Sequence, residues 1–391
     1  MKTYLIIGNG VAGTTAAEAI RQQDPKGSIM ILSEEDIPFY YRIRLNDFIA
    51  GDVDEDKLIA KKADWYEEQR IDLRLNTRII GLDTAGKHLT TDSGEKLPFD
   101  RLLLATGSHS FLPPIEGIGQ QGVFALRHIK DARAILTQAK KSEEMILIGG
   151  GLLGLEAGNA LRKLGKKVTV VEFFPRLLPR QLDSKGAKRL QKLMEKMGFS
   201  FYLSAITKTI TGSNGQADGI VLEGGDTLRG QMVIVSAGVR PNLELAKSAG
   251  LDCDKGVKVN DRLETSAEAI YAAGDVAEHQ GVVSGIWPAA MQQGKVAGAN
   301  MGGGEAPQYN GTTMSNILKV AGIDVAAAGN IDAESRHESR VVTSDTVYKK
   351  LVIENNRIIG CVMVGDTKNF NTITRYITEQ RDIGTLKNSL L

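Results

Sequence analysis

The sequence predicts an α/β fold in which one strand–turn–helix unit occurs twice, followed by a small α+β region towards the C-terminal end. Three observations predict it. A glycine run of one form stands at Gly8-Asn9-Gly10-Val11-Ala12-Gly13 and again at Gly149-Gly150-Gly151-Leu152-Leu153-Gly154. Each run follows a short apolar segment, Tyr4-Leu5-Ile6-Ile7 or Met145-Ile146-Leu147-Ile148, and each opens a helical pattern. From about Gly311 the pattern changes to alternating strand segments and one amphipathic helix.

Glycines so placed turn the chain tightly off a strand and let a diphosphate approach the helix N-terminus. Two dinucleotides are therefore expected to bind. After each run a second strand pattern ends in an acid, Ser28 to Glu34 in the first copy and Lys167 to Glu172 in the second. A carboxylate about 20 residues beyond the glycines is where an adenosine ribose hydroxyl needs an acceptor. Glu34 with Glu35, and Glu172 with Phe173, are the candidates. A hairpin signal follows in both copies, Asp92-Ser93-Gly94 and Glu223-Gly224-Gly225-Asp226. Each hairpin leads to an apolar strand ending in glycine, Leu102 to Ala105-Thr106-Gly107 and Val233 to Ala237-Gly238 with Val239 next.

A chain of 391 residues with 42% hydrophobic content can form two or three domains with substantial cores. The formal charge of +1 gives no whole-chain pull toward nucleic acid. No apolar run approaches membrane-spanning length, so no membrane insertion is expected. The first strand begins at Tyr4, which argues against a cleaved leader and for a cytoplasmic setting. Only Cys253 and Cys361 are present, too few for a cluster held by four thiolates, and the five histidines have no metal spacing. No metal site is expected.

The two fingerprints, Ala105-Thr106-Gly107, Gly238-Val239-Arg240-Pro241-Asn242 and Ala272-Ala273-Gly274-Asp275 together resemble the FAD-containing pyridine nucleotide–disulfide oxidoreductase superfamily. The resemblance implies two Rossmann-like domains, with FAD on the first fingerprint and the nicotinamide cofactor on the second. It also implies that the NAD-binding domain, 111–240, is inserted in a discontinuous FAD-binding domain, 1–110 with 241–310. An acid just after a strand-end glycine suits a hydroxyl-rich ligand such as a ribityl chain, which makes Asp275 a candidate FAD contact.

The departures from the superfamily narrow the function. Its disulfide reductases carry a redox-active cysteine pair soon after the first ribose acid, and related peroxidases and oxidases keep one cysteine there. Here the region reads Glu34 to Asp47 without a thiol. Electrons must then leave the reduced flavin directly for an external acceptor. Tyr40-Tyr41-Arg42 with Leu45, and later Trp287-Pro288-Ala289-Ala290 and Gln293-Gly294, resemble the rubredoxin and ferredoxin reductase branch and the flavin-binding front part of nitrite reductases. Nitrite reduction by this chain alone is not expected, because the sirohaem and cluster cysteines are missing. Many ferredoxin reductases follow the leucine with Ser-Lys, the lysine pairing with a glutamate beyond the second fingerprint. This chain has Asn46-Asp47 and keeps the glutamate as Glu156, with Arg42 or Arg44 as substitute partners.

The resemblance implies NADH oxidation with electrons delivered one at a time to rubredoxin or a ferredoxin-like iron–sulfur protein. Two alternatives stand beside it: an NADH oxidase or diaphorase that reduces oxygen or quinones, and a flavoprotein subunit of a larger redox complex. Glu172 favours NADH over NADPH, since a carboxylate accepts from free ribose hydroxyls and repels an added phosphate. Arg176 and Arg180 stand close by and temper that preference. Trp287 and Pro288 open a helical pattern whose N-terminal dipole would face the flavin, and Trp287, Glu156, Arg42 and Arg44 are the candidate catalytic groups. Lys185, Lys188, Arg189, Lys192 and Lys196 read as an exposed basic helix face.

Alternation from Val347 to Ile353, a turn at Asn355-Asn356 and the segment Arg357 to Val364 predict a β-hairpin. A helix with Ile373, Tyr376 and Ile377 on one face follows. Residues 311–391 resemble a shortened form of the superfamily's C-terminal interface domain, which covers the flavin and in some members makes the dimer. Monomer and homodimer both stay open, and Lys319 approaches either the flavin or solvent. The run Met301-Gly302-Gly303-Gly304 reads as a flexible joint before this domain.

Overall fold

Both glycine runs leave the central strand of a parallel sheet. The structure, a computed structural model, describes residues 1–304, 308–312, 315–384 and 390, with the backbone alone at 315–318. The first sheet runs in the spatial order Ile270–Ala272, Arg101–Leu104, Thr3–Ile7, Ser28–Leu32, Ile71–Arg74. The second runs Val123–Phe124, Met232–Val235, Glu144–Ile148, Lys167–Glu172, Ser200–Leu203. Four strands thus repeat in the same order and direction. A three-stranded antiparallel sheet occurs in each copy as well, turning at Gly94 in one and at Gly225 in the other, both at positive φ. The fold is α/β with Rossmann-like parallel sheets.

The described residues form two compact units. One comprises residues 1–41, 55–109 and 239–312. Its sheet is covered on both faces, so alternate side chains of one strand enter different cores. Tyr4 and Ile6 join Ala16, Ile20, Tyr271 and Ala297, whereas Leu5 and Ile7 join Leu89, Phe99, Leu102 and Val257. The helices Val11–Gln23 and Trp287–Gly302 pack in close backbone contact. A Cβ at Gly294 would collide with the Ala12 carbonyl, and one at Gly298 with the Ala16 carbonyl. The expected joint at 301–304 is helix end instead. Met301 is fully buried and Gly303, at φ +89°, is the left-handed C-cap.

The other unit comprises residues 42–54, 110–238 and 313–391. Its second sheet is antiparallel, in the order Ser315–Val320, Ile323–Gly329, Arg357–Val364, Tyr348–Glu354, Glu338–Thr343. The hairpin turn has Asn355 and Asn356 both at positive φ, as a two-residue turn of this twist requires. Helix Phe370–Thr378 buries Phe370, Ile373 and Tyr376 against one face. The neutral stripe of the basic helix Ser184–Lys196, with Gly186, Ala187, Leu190 and Met194, packs within the same unit, and Gly186 approaches Tyr348 and Val362. Lys185, Lys188, Lys192 and Lys196 are exposed, as is Lys319.

A buried polar cluster holds this packing. Asp183 caps the basic helix by accepting from the Gly186 amide at 2.9 Å, and it accepts from the Tyr348 hydroxyl at 2.6 Å. Lys350 lies 3.5 Å from both Asp183 and Asp332 and donates to the Asp332 carbonyl at 2.8 Å. Tyr348→Phe is expected to lower stability by about 1–2 kcal/mol, read from a denaturant midpoint. An unchanged midpoint would show that Gly186 and Lys350 satisfy Asp183 by themselves.

Candidate functional site

The two glycine runs form the same cradle. Gly8 and Gly149 sit at φ +112° and +111°, and a Cβ on either would collide with a carbonyl of the neighbouring strand's end, Ala105 or Ser236. Gly13 and Gly154 close against the carbonyls of Gly8 and Gly149 in turn. Gly10 and Gly151 face open space and are the N-caps of Val11–Gln23 and Leu152–Lys163, with no capping side chain on the first-turn amides. These amides are left for an anion. The arrangement fits a dinucleotide diphosphate in each unit, with Val11 and Ala12, or Leu152 and Leu153, supplying N–H groups.

In the first unit the remaining candidates converge on the same strand ends. Asn242 braces Ala105-Thr106-Gly107, donating from its side chain to the Thr106 carbonyl at 2.7 Å and from its amide to the Gly107 carbonyl at 3.0 Å. Asp275 follows Gly274, at φ +85°, and accepts from Ser108 at 2.8 Å, so its carboxylate is oriented. Trp287 is half-buried in an aromatic stack, 5.9 Å from Tyr41 at an interplanar angle of 22° and 5.9 Å from Phe39. It lies there rather than in the core. Pro288 is exposed in the first helical turn. Asn9 accepts from the Tyr66 hydroxyl at 2.9 Å, and that hydroxyl accepts from the Phe39 amide, which ties the fingerprint to the stack. Gln293 is 1% exposed and accepts from the Gly274 amide at 2.8 Å.

The candidate ribose acids differ between copies. Glu172 is 6% exposed, with one carboxylate oxygen accepting from the Gly150 amide and the other from the Phe174 amide at 2.8 Å. It is a fixed acceptor at the second cradle, with Phe173 61% exposed beside it and packed edge-on to Phe174. Arg176 donates to the carbonyls of Pro179 and Leu182, whereas Arg180 is exposed. In the first copy Ile7 pairs with Leu32 as Ile148 pairs with Val171. The position matching Glu172 is therefore Ser33, with Glu34 exposed one residue on and Glu35 accepting from Tyr40 at 2.7 Å. Ala237 and Gly238 are exposed at the end of the second copy's strand, and Val239 belongs to the first unit.

Glu156, one turn into the second fingerprint helix, has no arginine partner among the described residues. Its carboxylate accepts from Asn46 at 3.3 Å. Burial pushes its pKa up to about 7, Asp47 adds like-charge repulsion, and the Asn46 bond opposes both. This corrects the expectation that Arg42 or Arg44 replaces the missing lysine. Arg44 pairs with Asp47 at 3.1 Å, and Arg42 donates to the Arg127 carbonyl and contacts His128, both at 3.0 Å. Arginine is long enough, but the segment's short helices direct each one to a nearer partner, and the neutral amide of Asn46 takes the place.

Neither cysteine belongs to the cradles. Cys253 is half-buried and bridges in backbone to Val257, and Cys361 is buried mid-strand opposite Ala328 and Leu351. Burial raises both thiol pKa values, that of Cys361 to about 12. Among the described residues no group of three His, Cys, Asp or Glu side chains can hold a metal ion, and no helix is long and apolar enough to cross a membrane.

The sequence profile of the pyridine nucleotide-disulphide oxidoreductase family matches residues 2–294, and that of the rubredoxin NAD+ reductase C-terminal domain matches residues 315–381. A nitrite reductase [NAD(P)H] of Bacillus subtilis is 37% identical over 100% of this chain and 49% of its own length. The chain thus spans about half of that relative. The NADH-rubredoxin oxidoreductase of Clostridium acetobutylicum is 34% identical over 93% of this chain and 90% of its own. The crystal structure of NADH:rubredoxin oxidoreductase from Clostridium acetobutylicum superposes with a TM-score of 0.84 at 31% identity, covering 98% of this chain and 96% of that one.

Proposed function

Because the chain belongs to the pyridine nucleotide-disulphide oxidoreductase family, we propose that it is an FAD-dependent NADH oxidoreductase that passes electrons singly to an external iron–sulfur protein such as rubredoxin or a ferredoxin. The observation that carries this reading is the pair of dinucleotide cradles with both thiols placed elsewhere. The balance is one NADH and two oxidised acceptors to NAD+, two reduced acceptors and one proton. A bound flavin supplies the change from hydride chemistry to single-electron chemistry.

The chain's own groups then have these roles. Gly8, Gly10, Val11, Ala12 and Gly13 bind the FAD diphosphate, with Glu34 and Glu35 toward the adenosine ribose. Asp275, oriented by Ser108, takes the ribityl hydroxyls, and Ala105-Thr106-Gly107, braced by Asn242, line the flavin. Trp287 and Pro288 place a helix N-terminus against the flavin's pyrimidine edge. Gly149, Gly151, Leu152, Leu153 and Gly154 bind the NADH diphosphate, Glu172 and Phe173 its adenosine, and Ala237, Gly238 and Val239 its nicotinamide half. Arg180 faces the adenosine ribose region. Arg42 and Arg44 position the segment that carries Asn46, and Glu156 faces the nicotinamide. The domain division 1–110 with 241–310, 111–240 and 311–391 is part of the same proposal.

The NADH relatives and the Glu172 carboxylate both favour NADH over NADPH. Glu172→Gln keeps one acceptor oxygen in the loop and removes the charge, and it is expected to narrow the preference roughly tenfold in kcat/KM, about 1.4 kcal/mol. Unchanged relative efficiencies would remove Glu172 from that role. The acceptor is tested anaerobically by adding NADH to the yellow protein with excess rubredoxin, then ferredoxin, and comparing their reduction with oxygen consumption in air. Reduction well above the oxygen rate supports the proposal. Flavin bleaching with neither protein reduced sinks it in favour of an oxidase, or of the second reading. That reading, a flavoprotein part of a larger redox assembly, is favoured by the nitrite reductase, 49% of whose length the whole chain matches.

A further inference from the structure

Gln293 holds a buried donor that nothing in the described structure uses. Its Oε1 accepts from the Gly274 amide at 2.8 Å, which fixes the orientation of the carboxamide, since only oxygen can accept that bond. Its Nε2 is buried, with no hydrogen-bond partner among the described residues. A donor stranded in this way costs free energy unless a ligand or water completes it.

The surroundings identify the missing acceptor. Gly294, the next residue, lies against the Ala12 backbone, and a Cβ at Gly274 would stand 3.1 Å from the Ala12 Cβ. The Gln293 carboxamide is thereby held beside the first turn of Val11–Gln23, whose amides have no capping side chain. Those amides and the stranded Nε2 are donors alone, so the group they share is an anion with several acceptor oxygens. We propose that Gln293 is a contact of the bound dinucleotide, its Nε2 donating to a diphosphate oxygen directly or through one water while its Oε1 holds Gly274 and so Asp275 in place. This rests on the reading that the first cradle holds FAD.

The test uses apo-protein and two variants. Gln293→Glu keeps an acceptor for Gly274 and replaces the donor by a negative charge; Gln293→Met removes both. FAD affinity is measured by fluorescence, and ADP, which carries the diphosphate without the flavin, by its competition with FAD. Both affinities are expected to weaken together, roughly 10–100-fold for Gln293→Glu and roughly 10-fold for Gln293→Met, in apo-protein that is still folded although its melting temperature falls from the buried charge or from the unpaired Gly274 amide. Unchanged affinities in either folded variant overturn the proposal, and so does a lower melting temperature alone, which would make Gln293 a structural brace. Weaker FAD binding with unaltered ADP competition also overturns it, by placing the donor on the flavin half. Failure of the native protein to reduce any iron–sulfur protein would sink the acceptor reading and leave these affinities as they are.

Discussion

The native chain is expected to show a pH dependence of NADH-driven flavin reduction centred at about pH 7, and Glu156→Gln is expected to abolish it. The carboxyl is half-buried with a neutral amide as its partner and Asp47 nearby, so it is expected to ionise only as the pH approaches 7. Departure of a hydride leaves positive charge on the nicotinamide, and in the placement proposed above the Glu156 carboxylate stabilises that charge. The native rate should therefore rise with pH through about 7 and level off, whereas the glutamine variant stays flat and roughly tenfold slower at alkaline pH. Anaerobic stopped-flow bleaching across this range measures it, and the same inflection in the variant would show that another group titrates.

Stability supplies an independent check with a defined sign. Glu156 has a folded pKa above its unfolded value of 4.5, so the folded state holds the proton more tightly. Its contribution is fully present below pH 4.5 and is lost as the pH rises through about 7. Glu156→Gln should then match the native protein in acid and exceed it at alkaline pH, by up to about 3 kcal/mol. Asn46→Lys should return the carboxyl toward the ordinary range and move the kinetic inflection to lower pH.

Gly294→Val is expected to cost about 3 kcal/mol or more and to yield protein that purifies without flavin. The added side chain meets the carbonyl and Cα of Ala12, and backbone cannot turn aside as a flexible side chain can. Ala12 is in the first turn of the fingerprint helix, so displacing it moves the amides proposed to bind the diphosphate. Gly224→Ala is the control, because a Cβ there meets nothing within 4 Å. Thermal melting and the flavin-to-protein absorbance ratio read both. A Gly294→Val protein with native melting and full flavin would mean that the two helices need no such approach.

These expectations differ in how far they could be read from the chain alone. The duplicated sheets were legible because the signals are local: a tight turn demands glycine, a buried parallel strand demands an apolar run, and both copies repeat the requirement at Gly8 and Gly149. Asn355-Asn356 marked its hairpin for the same reason. The exposed strand Glu338–Thr343 was not legible, since no face of it is buried and no alternation records it. Ser33, not Glu34, stands in register with Glu172, a difference of one residue that only the hydrogen-bonded ladder reveals.

The sequence by itself determined the fold class, the two cradles, the family and the absence of a thiol where disulfide chemistry would need one. Each rests on residue type at short spacing, where backbone sterics leave little choice. Only the tertiary structure decided who meets whom across long separations. It joined Asn46 to Glu156 across 110 residues, Ser108 to Asp275 across 167 and Tyr348 to Asp183 across 165. Partner choice at that range depends on which groups packing brings within about 3 Å of each other after burial has removed water as the competing partner, and no local pattern encodes it.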